Sequence, residues 1–129
     1  MGRIISQARI ENALNGKQGF DFSALVDTGT SHLTLPSAWR SKLGEFQTIR
    51  PVELETANQS TISGEMAGPV KIQIEGFPAI YSEVLFVDME PRDDGSFEPL
   101  IGYIVLESCQ AGVDIIGHRL VHIKYLDLK

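Results

Sequence analysis

The chain has 129 residues, enough for one domain with a modest core and no stapling metal or disulfide, and its 43% hydrophobic and 22% charged residues are those of an ordinary globular protein. Seventeen acidic against eleven basic residues leave a formal charge of −6, and because the basic residues are scattered, the pull that draws proteins onto phosphate backbones is missing, which argues against nucleic acid as a partner. The first residues lack a signal-type apolar core and no apolar run approaches membrane-spanning length, so the expectation is a cytoplasmic protein with no membrane partner; the single Cys109 cannot form an internal disulfide.

Short runs of Val, Ile, Leu and Phe punctuated by Gly, Pro, Asn and Asp predict a mainly β chain, residues 1–129 forming a single domain. A first hairpin is predicted to join Arg3–Leu14 to Phe20–Val26 through a turn at Asn15-Gly16, because Asn-Gly supplies the positive φ angles of a tight hairpin turn. Asp27 then lies at a strand end. Leu33–Leu35 resumes extended structure, and Pro36-Ser37 starts a brief helix through Trp39 and Leu43 that stops at Gly44. Val52–Thr56 and Thr61–Ile74 flank the polar Ala57-Asn58-Gln59-Ser60 as a projecting hairpin. Ala79–Val87 reads as a strand, followed by an acidic loop, Asp88–Glu98. Next come the short apolar run Pro99-Leu100-Ile101-Gly102 and a helix over Tyr103–Gln110 that closes near Gly112. Val113–Ile116 and Leu120–Leu128 finish the chain as strands.

The run that carries chemistry is Ala24-Leu25-Val26-Asp27-Thr28-Gly29-Thr30-Ser31, in which an apolar strand delivers a carboxylate into a turn of hydroxyls and a glycine. Gly29 permits close backbone approach and offers an N–H, and Thr30 offers a hydroxyl, so an ionised carboxylate can be held partly buried. Hydrolysis of an amide by water needs one group to take the water's proton and another to protonate the carbonyl oxygen. Two facing carboxylates that share a proton do both. At about 3 Å and an effective dielectric near 20, two full charges would repel by roughly 5 kcal/mol, so one of the pair stays protonated.

Asp-Thr-Gly arises by chance in about 2–3% of chains of this length, so its weight rests on its surroundings. Leu25-Val26-Asp27-Thr28-Gly29-Thr30 resembles the signature of the retropepsin and pepsin clan of aspartic proteases, apolar-apolar-Asp-Thr/Ser-Gly-Ala/Ser/Thr. The hairpin with its turn at Ala57–Ser60, and behind it Ser63-Gly64, is similar to the clan's flap. Leu100-Ile101-Gly102 before a helix is similar to the element that braces the active-site loop. The resemblance covers nearly the whole chain. It implies a mainly β, retropepsin-like closed barrel or sandwich with a flap hairpin and one short C-terminal helix. It implies that Asp27 is the catalytic acid and base, that Thr28 bonds to the partner's loop, that Gly29 donates to the carboxylate and the substrate, and that Leu100, Ile101 and Gly102 brace the loop. Ala57, Asn58, Gln59 and Ser60 would cover a peptide or protein substrate, with His32 close enough to reach the mouth of the cleft or to sit exposed on its loop. One Asp-Thr-Gly in a chain too short for two lobes implies a homodimer, with no cofactor and no metal. Retroviral members carry an acidic residue and an Arg where this chain has Ser31 and Tyr103, and pepsin-like chains often carry Tyr where it has Thr56, so those contacts are not carried over.

Other readings compete. A chain of this fold that has lost turnover would be a dimerisation or peptide-binding module. A thiol or metal hydrolase would rest on Cys109 and on His118 and His122. The first is expected to be buried on an apolar helix, and the two histidines to lie on a strand, about 13 Å apart and too far for one metal. Ile62 and Met66 suit a core, an interface or a substrate pocket equally. The acidic cluster Asp88, Glu90, Asp93 and Asp94 reads as a solvated loop, and Arg119–Lys129 as a terminal run that pairs with its symmetry mate.

Overall fold

A computed structural model describes residues 3–125. In chain order the elements are β1 (Ile5–Asn12), β2 (Asn15–Val26), β3 (Leu33–Pro36), a 3₁₀ helix (Ser37–Leu43), β4 (Thr48–Glu55), β5 (Thr61–Ile74), β6 (Ile80–Val87), β7 (Leu100–Ile101), α1 (Tyr103–Ser108), β8 (Ala111–Asp114) and β9 (Arg119–His122). Seven strands form one sheet in the order β1-β2-β7-β3-β6-β5-β4, and β1 also pairs with β5, so six strands close a barrel and β4 is left outside the ring.

β5 makes this closure possible because it changes neighbours along its length. Its first half, Thr61–Gly68, pairs with β4, while Val70–Ile74 pairs with β1. The exchange falls at Gly68-Pro69, where the ladder to β6 also shifts register. Pro69 has no N–H to contribute to a ladder, which suits it to such an irregularity. β3 is buried along its whole length and runs parallel to β6 on one side and antiparallel to β7 on the other. Ile10, Leu33, Leu35, Ile72, Phe86 and Ile101, all fully buried, fill the barrel. A second, smaller apolar cluster joins Met66, Leu85 and Val87 to Val52, Leu54 and Met89, and it seats the β4–β5 hairpin on the barrel.

The first hairpin turns earlier than Asn15-Gly16. Its two turn residues are Ala13 and Leu14, Asn12 pairs with Asn15, and Gly16 does not take a positive φ. The buried side chain of Asn12 is the cause. Its amide donates to the carbonyls of Leu43 and Glu45 at 2.8 and 2.7 Å, and its oxygen accepts the Leu14 N–H at 3.0 Å. An Asx turn of this kind fixes the reversal and ties it to the end of the 3₁₀ helix. That helix spans the predicted segment and stops at Gly44, whose φ is 72°.

α1 is shorter than predicted: Gln110, at φ 58°, turns the chain before Gly112 is reached. β8 begins at Ala111, and Ile115 and Ile116 lie in the following turn instead of the strand. His118 also belongs to that turn, at φ 52°, while His122 ends β9 and stacks on Phe77 with ring centroids 4.4 Å apart. The last part of the predicted Leu120–Leu128 strand, and with it the expected pairing of the terminal run, lies outside the described residues. No described helix is long and apolar enough to cross a membrane.

Candidate active site

β2 ends at Val26, and the chain enters a loop whose first residue is Asp27. The loop is fixed from both sides by backbone bonds. On one side, β2 and β7 run parallel, the Leu25 N–H donates to the Pro99 carbonyl at 2.9 Å, and the Asp27 N–H donates to the Ile101 carbonyl at 2.9 Å. On the other, the first N–H groups of α1, which have no partner within a helix, donate to the loop itself: Tyr103 to the Thr30 carbonyl at 2.8 Å and Ile104 to the Ser31 carbonyl at 2.9 Å. Gly102 lets the two segments come this close. A Cβ there would lie 2.4 Å from the Ser31 carbonyl carbon and 2.5 Å from the Thr30 oxygen, both rigid backbone atoms.

The half-buried Asp27 carboxylate is held on both oxygens. The Gly29 N–H donates to Oδ1 at 3.0 Å and the Thr30 hydroxyl to Oδ2 at 3.0 Å. Two bonds, one to each oxygen, fix the plane of the carboxylate. Thr28 and Gly29 are exposed at the tip of the loop. Leu100, Ile101 and Gly102 stand beside the loop.

A cleft of about 590 Å³ opens beside Gly29, Thr30 and Ser31. Its apolar wall is made by Leu54 and Ile62 of the β4–β5 hairpin together with Leu85, Val87, Met89 and Leu100. Its charged wall is Glu55 at the end of β4 and Glu90, Arg92 and Glu98 of the loop after β6. Ile62 therefore belongs to the cleft, while Met66 is buried in the small cluster beneath it. Ala57, Asn58, Gln59 and Ser60 form the exposed tip beyond the cleft wall. Their turn closes on itself through Thr56 N–H to Ser60 carbonyl at 2.7 Å and Gln59 N–H to Thr56 carbonyl at 2.9 Å, with Gln59 at φ 66°. His32 does not line the cleft; its Nδ1 lies 2.9 Å from the Ser31 hydroxyl, which does.

The strand alternation Val52-Glu53-Leu54-Glu55 already marks Leu54 as inward-facing, but nothing in the sequence announces that Glu90 and Glu98 border the same cleft as Gly29, Thr30 and Ser31 of the Asp27 loop. Cys109 is buried and its thiol donates to the Leu106 carbonyl at 3.7 Å; burial pushes its pKa up, the reverse of what a nucleophile requires. Among the described residues no three His, Cys, Asp or Glu side chains gather in a metal-binding group.

The sequence model of a family described as aspartyl protease matches residues 9–103, a stretch that runs from β1 through the Asp27 loop to the start of α1. The chain belongs to the aspartyl protease family. Its fold is that of the retropepsins. The structure of EIAV protease complexed with the inhibitor HBY-793 superposes with a TM-score of 0.63 at 17% sequence identity, covering 88% of this chain and 93% of that one. No curated protein matches in sequence. The matched stretch of this aspartyl protease chain includes Asp27-Thr28-Gly29.

Proposed function

We propose that two copies of this chain meet with their Asp27 loops face to face and hydrolyse peptide bonds by means of a water molecule shared between the two carboxylates. One carboxylate, ionised, takes the proton of the water as its oxygen attacks the scissile carbonyl carbon; the other, protonated, donates to the carbonyl oxygen. Collapse of the tetrahedral intermediate expels the amine, which takes up the proton held by the first carboxylate, while one hydroxyl of the intermediate returns its proton to the second as the carbonyl re-forms, so the dyad regains its single proton. The observation that carries this reading is the double support of Asp27. The two bonds at 3.0 Å from Gly29 and Thr30 orient a half-buried carboxylate on a loop that Gly102 lets α1 brace. A merely structural turn aspartate needs no such bracing.

In this reading the exposed Thr28 bonds across the twofold axis to its counterpart, and Gly29 also donates to the substrate. The β4–β5 hairpin acts as the flap. An extended peptide lies between the hairpin and the Asp27 loop, its backbone paired as an added strand and its side chains in the apolar pocket under Leu54 and Ile62. Ala57–Ser60 at the hairpin tip then cover the peptide.

The test is cleavage of a mixed peptide library between about pH 4 and pH 7 by the wild type and by Asp27→Asn, with and without a statine-type inhibitor, on protein shown by light scattering to be dimeric. Cleavage blocked by the inhibitor and at least about 10³-fold weaker in Asp27→Asn is expected. A verified dimer that cleaves nothing would instead be a peptide-binding or dimerisation module, and cleavage that survives in Asp27→Asn would sink the mechanism.

A further inference from the structure

The charged wall of the cleft is lopsided in a way that depends on which of its groups are already engaged. All three guanidinium nitrogens of Arg92 are engaged within its own loop: Nε donates to the Ser96 hydroxyl at 3.0 Å, one terminal nitrogen to the Glu98 carboxylate at 3.0 Å, and the other to the Phe97 carbonyl at 3.3 Å. Its backbone closes the same loop, N–H to the Ser96 carbonyl at 2.7 Å. Arg92 is therefore a staple of the loop after β6, not a free cation. Glu98 is engaged too, by Arg92 and, from outside the cleft, by Arg3. Glu55 and Glu90 are different. Both are exposed, both line the cleft, they come from two separate elements, and neither has an ion-pair or hydrogen-bonding partner among the described residues.

We propose that the cleft selects peptides that place a basic side chain, Lys or Arg, on the same face of the extended chain as the apolar residue filling the pocket, with Glu55 and Glu90 as the residues that determine this preference. The inference rests on the peptidase reading above and names its substrate class. The shape of the site supports it: the apolar wall gives a Leu- or Phe-sized side chain a place to bury, and the two free carboxylates stand at its solvent edge, where a long basic side chain keeps its charged end wet. An acidic peptide meets two like charges and no available guanidinium. The chain's formal charge of −6 acts in the same direction at longer range. In the dimer, twofold symmetry repeats the arrangement on the other side of the scissile bond, so basic residues are favoured on both sides of the cleavage point.

The effect is that of exposed ion pairs: a few-fold for each carboxylate, about tenfold for the two, and weaker as salt screens them. The test measures binding instead of turnover. Peptides with a reduced, uncleavable central bond carry Lys, norleucine or Glu in turn at each of three positions on either side, and their affinity for the wild-type dimer is read by fluorescence anisotropy at low and high salt. At one or more positions the Lys peptide is expected to bind about tenfold more tightly than the Glu peptide. That ratio should fall to about twofold in Glu55→Gln/Glu90→Gln and at about 0.5 M salt, and stay unchanged in Glu53→Gln, two residues before Glu55 in β4 and outside the cleft wall. Taking the ratio within each protein cancels any loss common to all peptides. Binding with no charge preference, or a preference retained in the double variant, overturns the selectivity alone. Failure of every peptide to bind, the norleucine series included, overturns the peptidase reading and the selectivity with it.

Discussion

The Asp27 loop and the tip of the β4–β5 hairpin are both turns between strands, both rich in small polar residues, yet the molecule holds them in opposite ways. The loop is bonded to residues distant in sequence: its backbone is tied to Ile101 on one side and to Tyr103 and Ile104 on the other, and a single added carbon at Gly102 would collide with it. The tip at Ala57–Ser60 is bonded to itself, through Thr56, Gln59 and Ser60, and all four of its residues are exposed. The contrast has a functional logic. A group that must meet a reacting atom within a fraction of an ångström benefits from long-range bracing, whereas a cover that must open to admit a polypeptide draws on the least stable part of a structure.

Breaking the brace gives the largest expected effect. Gly102→Ala puts a Cβ against backbone atoms of Thr30 and Ser31 that cannot rotate away, so the loop and the start of α1 must separate. A destabilisation of about 2–3 kcal/mol in urea unfolding is expected, together with a loss of turnover of about 100-fold from displacement of Asp27. Wild-type turnover in this variant would mean that α1 does not hold the loop.

The tip should answer more mildly. Thr56→Val removes the hydroxyl that bonds to the Ser60 carbonyl at 3.1 Å and to Asn58. Stability should change by less than about 0.5 kcal/mol, while KM for peptides rises about two- to threefold at nearly constant kcat. Amide exchange sharpens the comparison: the N–H groups of Gln59 and Ser60 should exchange at least about 10³-fold faster than those of Asp27, Tyr103 and Ile104. Equal protection of the two turns would erase the distinction between them.

The braced side was far more legible in the sequence than the cleft it serves. The bonds of the brace join residues some seventy apart, but the motifs at its two ends, an apolar strand ending in Asp-Thr-Gly-Thr and an apolar pair ending in Gly102 before a helix, resemble those of a known family, and that resemblance pairs them. The cleft wall depends on the seating of the β4–β5 hairpin on the barrel, which brings Leu54 beside Leu85 and Leu100 from three strands, and no periodicity reports that. Glu90 read as one more carboxylate of a solvated loop because its neighbours Asp88, Asp93 and Asp94 are solvated; only the placing of that loop beside the hairpin separates it from them. Asn12 hid its role in the same way. Its sequence context put it inside the first strand, but the bonds that shift the first turn from Asn15-Gly16 to Ala13-Leu14 run to Leu43 and Glu45, some thirty residues on. His118 read as a strand residue because its apolar neighbours are, whereas the turn is set by Asp114 accepting the Gly117 N–H at 2.9 Å.

That last turn offers the gentlest test of whether self-bonded tips and the braced loop respond separately. The Asp114 carboxylate accepts the Gly117 N–H and pairs with Arg119 at 3.2 Å, and these two partners, the Gly117 bond first, hold its pKa below the ordinary aspartate range. As pH falls, the unfolded chain therefore takes up this proton before the folded one does. The carboxylate's contribution to stability is whole above the unfolded value of about 3.9, shrinks as pH drops towards the folded value, and is gone below it. Because the group is exposed to solvent, the effect is the smallest of these. The melting temperature of wild type relative to Asp114→Asn, followed from pH 6 down to about pH 2.5, should show an advantage at the upper end that disappears at the lower. Peptide cleavage at pH 5 should be the same in both proteins, since the β8–β9 turn shares no bond with the Asp27 loop among the described residues. A change in cleavage would show that this tip is coupled to the site after all, and a wild-type advantage in melting temperature that does not shrink as pH falls would mean that Asp114 stabilises the hairpin by something other than its charge.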